Sequence, residues 1–502
     1  MNKRTFKKLL QNSLTLISTF TLLACGSSSD DSGTGYVKLY NASSNAPSIY
    51  LTVDEDLNST DDDHFEHSYS GVPFAQANSN YEIDSGTYSY QLAWQDDDST
   101  ASDNLSVLHE SELTISNDSI EMIVLSDSIL SPQIMTYSMP LIDDDNDDTE
   151  ELFNLRVLNM HSSHTGIDFY LSKDDETFNE AQFVGDFSYQ ALSDNHKFEQ
   201  SDYIFYITES GSNEVLFETN SISFAYSSQY IMVVRENKGA GSSPYILDKV
   251  SNSTVTEYTD ADAEASFKTY NAVAPHEQLD NYQGDMSLFI NGVDNSPEIA
   301  FLPYGEMSND LIVASGDYSL DLSSVATSTP LLSNHLLSLT ENSNKTVFFY
   351  AEEEYVDSDG DGNVDENGDG IIDEIEVNLF SLVVDNSLNE TIYDHEIESV
   401  NLVQSDEFDQ VTVYFVRSNE TIDTALYYRT IHYKKTSPIT LLNNTYQVFV
   451  IGEENDSRII LNTFELTLNE ESREQFLIIE NSTESTTGYK STLIDQITPQ
   501  VN

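Results

Sequence analysis

From Tyr36 onward, apolar and polar residues alternate in short runs separated by Gly, Asn, Asp and Ser. Alternation with a period of two is the mark of a half-buried strand, and no long stretch carries the 3.6-residue apolar period of a helix. Four runs open alike: Tyr36-Val-Lys-Leu-Tyr-Asn41, Phe153-Asn-Leu-Arg-Val-Leu-Asn159, Phe267-Lys-Thr-Tyr-Asn271 and Phe380-Ser-Leu-Val-Val-Asp-Asn386. Their closing asparagines recur at intervals of about 115 residues, which predicts an internal repeat. A second run recurs at 49–54, 167–172, 286–291 and 411–416. A third starts at a tyrosine after a turn (Tyr88, Tyr203, Tyr318, Tyr446), and these tyrosines are expected to be packing residues. A polar turn then leads to a fourth, apolar run at 122–125, 230–234, 347–350 and 476–479.

Short strands at this spacing predict an all-β chain of four tandem Ig-like antiparallel β-sandwich modules, each large enough for its own core. The expected modules span 36–140, 152–250, 265–350 and 378–498, with linkers at 141–151, 251–264 and 351–377. In series they predict an extended stalk.

The N-terminus is different. Lys3, Arg4, Lys7 and Lys8 precede an apolar run from Leu14 to Leu23, too short to span a bilayer as a helix, so residues 1–24 read as a signal peptide. Its end, Leu22-Leu23-Ala24-Cys25, resembles the lipobox of bacterial lipoproteins. The resemblance implies acylation of Cys25, and the lack of an Asp after it implies an outer-membrane address in the cell envelope. Several acyl chains hold where one holds only marginally. Residues 25–35 form a polar tether. Cys25 is the only cysteine, so no intramolecular disulfide is possible.

Composition narrows the partners. Asp and Glu number 87 against 20 Lys and Arg, a formal charge of −67 that becomes more negative once the basic leader is removed. Such a surface repels nucleic acid and attracts cations. The 29 Tyr and 24 Phe argue against disorder.

Asn41-Ala-Ser-Ser-Asn-Ala-Pro47-Ser-Ile-Tyr-Leu-Thr-Val-Asp54, followed by Ser85-Gly86-Thr87-Tyr88, resembles the opening and later motifs of the domain of unknown function 4397 family. That resemblance implies a β-sandwich of bacterial cell-surface proteins with no established activity. Asn stands where the family has His in all four copies.

Residues 357–376 carry the one strong ligand pattern. Calcium takes six to eight oxygens, supplied at alternating loop positions around a turn glycine. Counting from Asp365, Asn367, Asp369, Ile371 (through its carbonyl), Asp373 and Glu376 fall at EF-hand-like positions, with Gly370 at the turn. An incomplete copy precedes it, with Asp357, Asp359, Asp361 and Asp365. The expectation is structural Ca²⁺ stiffening the linker between modules three and four.

No nucleophile elbow, zinc-protease helix or phosphate-binding loop appears, and no catalytic acid or base stands out. The pairs His161/His164 and His64/His67 read as surface loop residues rather than metal ligands. The sequence therefore predicts a non-catalytic, membrane-anchored surface lipoprotein that is structural or binds a surface protein or another cell. The alternative is an extracellular carbohydrate binder using exposed aromatic side chains.

Overall fold

The computed structural model describes residues 33–57, 65–97, 99, 104–142, 151–164, 166–279, 281–293, 296–357, 360, 362–365, 372, 374–454 and 457–497. The expected signal peptide, Cys25 and most of the expected first acidic linker lie outside these. The chain is all-β: among the described residues there is no α-helix, only two single-turn 3₁₀ segments, Phe178–Glu180 and Ile422–Thr424.

The described strands form eight sheets, four here called inner and four outer. Each inner sheet is built on a parallel pair: Thr34–Asn41 with Ser119–Ser126, Leu152–Asn159 with Gln229–Glu236, Glu264–Asn271 with Asn344–Tyr355, and Asp394–Leu402 with Gln475–Asn481. A parallel pair needs a long crossover. Here the crossover is the outer sheet, whose central strands are Tyr50–Asp54 with Gly86–Gln95, Gly166–Lys173 with Asp202–Glu209, Asp285–Ile290 with Gly316–Ser324, and Gln410–Val416 with Asn444–Glu454. Alternation in the sequence locates strands but is silent on direction, so the parallel pairs depart from the antiparallel expectation.

Period-two alternation gives each inner strand two apolar faces. Leu39, Ile123 and Leu125 pack with Leu51, Val53 and Leu92 of the first outer sheet. The intervening Tyr40, Met122 and Val124 pack instead with Leu158, Ile231 and Val233 of the second inner sheet. The third and fourth inner sheets meet likewise through Tyr270, Phe348, Val400, Phe476 and Ile478. Each of these seams carries one buried phenol–carboxylate–cation bridge. The Tyr40 hydroxyl donates to Asp248 at 2.6 Å, and Arg235 holds the same carboxylate at 2.7 Å. The Tyr270 hydroxyl donates to Glu480 at 2.7 Å, with Lys490 at 3.1 Å.

Two polar clamps recur between inner and outer elements. Asn41, Asn159, Asn271 and Asn401 are buried at the ends of inner strands. Each amide donates to a carbonyl opposite (Val72, Phe187, Leu302, Ile431) and accepts the backbone N–H two residues on. The second clamp is the tyrosine after the turn. Tyr88, Tyr203, Tyr318 and Tyr446 each donate to the carbonyl four residues upstream, at 2.6–3.0 Å. This is a tyrosine corner, tying the last inner-strand residue to the outer strand that follows.

The fourth clamp corrects the sequence register. Asn401, not Asn386, fills the position, and its strand is Asp394–Leu402. The expected opening run Phe380–Asn386 falls mostly within Ile375–Asp385, the last strand of the third inner sheet, paired with Asn344–Tyr355 from Lys345↔Asp385 to Tyr355↔Ile375. Segment 351–377 thus joins two paired strands of one sheet rather than two modules. The expected linker 251–264 likewise contains a strand, Val255–Tyr258, of the second inner sheet.

The arrangement is folded back rather than extended. Trp94 stacks on Tyr393 at 4.9 Å, Ser44 donates to Glu390 at 3.1 Å, and Arg417 donates to the Ser99 carbonyl at 3.1 Å. Between the second and third sheet pairs, Asn237 and Asn342 exchange hydrogen bonds.

Asn401→Ala should cost about 2–3 kcal/mol in chemical denaturation, because it strands a buried carbonyl and a buried N–H. A cost within error of zero would remove the clamp from this account.

Candidate functional site

The acidic turn lies at the end of the 12-residue strand Asn344–Tyr355. The ladder runs out through Glu354↔Glu376 to Tyr355↔Ile375, where the side chains become exposed. Of the nine expected calcium ligands, Asp357, Asp365 and Glu376 are described; Asp359, Asp361, Asn367, Asp369, Ile371 and Asp373 lie outside the described residues. Asp357 closes the first part of the turn, accepting the N–H of Gly360 at 2.6 Å and of Gly362 at 2.8 Å. Both glycines have positive φ, +78° and +83°, which a side chain would strain. The second part returns through Glu374, whose N–H reaches the Val364 carbonyl.

Glu354 is the residue that reading the loop pattern missed. It sits directly opposite Glu376, and like charges at cross-strand positions repel. Only strand pairing reveals it, since the 21 residues between them hide the juxtaposition in the sequence. A cation at the turn would relieve that repulsion. Among the described residues, no group of three or more His, Cys, Asp or Glu is close enough to hold a metal.

The base of the hairpin is braced by the segment following Leu402. Gln404 donates to the Glu353 carbonyl at 2.6 Å and accepts the Glu353 N–H at 2.9 Å, while Tyr355 donates to Asp406 at 2.9 Å. Beside this brace lies a crevice of about 260 Å³ lined by Pro275, His276, Tyr355, Gln404 and Asp406.

A strongly perturbed carboxyl lies beside the fourth inner sheet, just before the strand Gln475–Asn481. Glu474 is buried, and desolvation, with the charges of Glu396 and Asp394 added, pushes it up to about 8. One of its oxygens accepts the Glu396 N–H and the other the Thr391 hydroxyl. Both oxygens thus accept hydrogen bonds from within the protein.

Exposed aromatic pairs occur at one register in two outer sheets: Tyr170↔Phe183 and Tyr414↔Tyr428. Phe183 and Tyr428 are about half exposed. Tyr170 and Phe183 are tilted by 55°, and Tyr414 and Tyr428 by 23°, so the first pair offers no flat platform and the second comes nearer to one. His67 stacks on Tyr81 at 4.5 Å. His161, expected at the surface, is only 2% exposed, because Asn159 holds its backbone N–H in the clamp.

No family profile matches the chain, and no curated protein matches it. Solved structures give only weak likenesses. The Bacillus anthracis TIE protein is 8% identical over 87% of this chain and 69% of its own, with a TM-score of 0.15. The major pilin subunit BcpA of Bacillus cereus is 9% identical over 66% and 99%, with a TM-score of 0.13. A product complex of the multi-modular glycogen-degrading pneumococcal virulence factor SpuA is 10% identical over 62% and 38%, also with a TM-score of 0.13.

Glu474 gives a pH prediction. A carboxyl raised from 4.5 to about 8 on folding contributes stability that is complete below the lower value and is lost as pH rises through the upper one. Urea midpoints should therefore fall between about pH 5 and pH 8.5, and Glu474→Gln should flatten that fall, exceeding the parent at the alkaline end. Parallel curves for the two proteins would show that the proton is not held there.

Proposed function

We propose that the chain is a non-catalytic, membrane-anchored surface lipoprotein, held by acyl groups on Cys25 and presenting a folded-back acidic β-scaffold to a surface protein or another cell. Structural Ca²⁺ at 357–376 stiffens the tip of the third inner sheet rather than a hinge between sheets. The observation that carries the calcium reading is the opposed pair Glu354 and Glu376 beneath an aspartate-rich segment in which Gly360 and Gly362 adopt positive φ. The anchor rests on the lipobox resemblance and on Cys25 being the only cysteine.

A second reading, binding of an extracellular glycan, is favoured by one feature. The aromatic pairs Tyr170/Phe183 and Tyr414/Tyr428 recur at the same register on outer faces. Loss of binding on a glycan array after Tyr428→Ala would support it over the protein-partner reading.

Isothermal titration of the mature protein should show saturable calcium binding in the range of roughly 10⁻⁴ to 10⁻³ M, sufficient for millimolar extracellular calcium. Combining Asp365→Ala with Asp369→Ala should abolish it. Unchanged heat in that double variant would overturn the site, and failure of Cys25→Ser to block radiolabelled palmitate incorporation would overturn the anchor.

A further inference from the structure

We infer that His161, His164 and Tyr245 form a site for a divalent transition-metal ion of the copper–zinc type, separate from the acidic turn. His161 follows the second inner strand, and Tyr245 opens the strand Tyr245–Val250 of the same sheet. The two imidazole rings lie 4.6 Å apart at 84°, and the Tyr245 ring lies 5.1 Å from His161 and 5.2 Å from His164. All three aromatic groups therefore converge on one corner of the second sheet pair.

Two observations point to a ligand there. The His161 Nε2 lies 3.0 Å from the Pro244 carbonyl, which fixes the proton on that nitrogen and leaves Nδ1 as a lone-pair acceptor. That Nδ1 is buried with no hydrogen-bond partner, and so is the Tyr245 hydroxyl. A buried polar atom without a partner costs about 1–3 kcal/mol, so two in one ring cluster are an expensive arrangement for packing alone. An imidazole whose second nitrogen is held by a backbone carbonyl is the usual state of a metal-bound histidine. Burial also keeps His161 neutral, lowering its pKa by desolvation.

The donor set selects the ion. Two imidazole nitrogens and a phenol oxygen suit copper or zinc, whereas calcium takes oxygens alone. The phenol would lose its proton on binding, released to solvent. Burial first, and then the charge of Glu209, holds the Tyr245 pKa up at about 12, so in the metal-free protein the hydroxyl stays protonated at neutral pH.

Copper(II) is the probe, added to untagged mature chain carrying Cys25→Ser and read by electron paramagnetic resonance. The expected result is one ion per chain with nitrogen superhyperfine coupling, and a phenolate charge-transfer band that Tyr245→Phe removes. His164→Gln, at a less buried loop position, should lower affinity at least tenfold while the thermal midpoint without metal stays unchanged. His161→Gln should abolish the nitrogen coupling, with its fold checked by circular dichroism. A spectrum showing oxygen ligation only, as from the acidic surface, or one unaltered in His164→Gln, would overturn the proposal.

Discussion

Met122, Ile123, Val124 and Leu125 have no solvent-facing side; all four are fully buried. A strand with two apolar faces needs a cover on each. The outer sheet of the same repeat covers one face, and only another inner sheet presents a matching apolar surface for the other. The inner sheets therefore meet in twos, first with second and third with fourth. The two seams lie between consecutive units, and the contacts of Trp94 with Tyr393 and of Asn237 with Asn342 bring the two halves together.

Apolar burial alone would let these faces slide. The buried polar groups fix their register, because each leaves an unsatisfied partner if displaced. The asparagine clamp and the tyrosine corner set inner against outer sheet in each of the four described sheet pairs. The seams use a phenol bonded to a carboxylate, and the two halves solve it with opposite polarity. Arg235 and Glu480 occupy matching places, one residue beyond Val234 and Ile479, which pair with Asn159 and Asn401. The counter-charge then sits on the neighbouring strand, as Asp248 in one half and Lys490 in the other. The halves also share the cross-strand aromatic pairs of their second outer sheets.

Much of this was legible in the chain, and the failures have definite causes. The apolar runs at 122–125, 230–234, 347–350 and 476–479 fall within observed strands, and the outer-sheet runs match theirs except for Ile49 and Asn291 at the ends, because period-two alternation is local. Three of four opening strands are placed correctly. The fourth failed because Phe380–Asn386 alternates and ends in Asn, whereas Asp394-His-Glu-Ile-Glu-Ser buries His395, Glu398 and Ser399 and hides its pattern. That shift moved the acidic turn from a hairpin tip to a supposed linker. Parallel pairing, the Glu354/Glu376 juxtaposition and the burial of His161 depend on contacts far apart in sequence, which alternation does not encode.

A strongly acidic chain folded back on itself has to hold like charges near one another, so the seams and the contacts between halves must outweigh that repulsion. The most direct test is a distance measurement by double electron–electron resonance, with spin labels at Ser44→Cys and Glu390→Cys in a Cys25→Ser background. These positions are 346 residues apart in sequence and hydrogen-bonded at 3.1 Å in the fold. A single narrow distribution at the short end of the method's range is the predicted result. A broad distribution at long distance, as from an extended string of independent sandwiches, would contradict the folded-back arrangement.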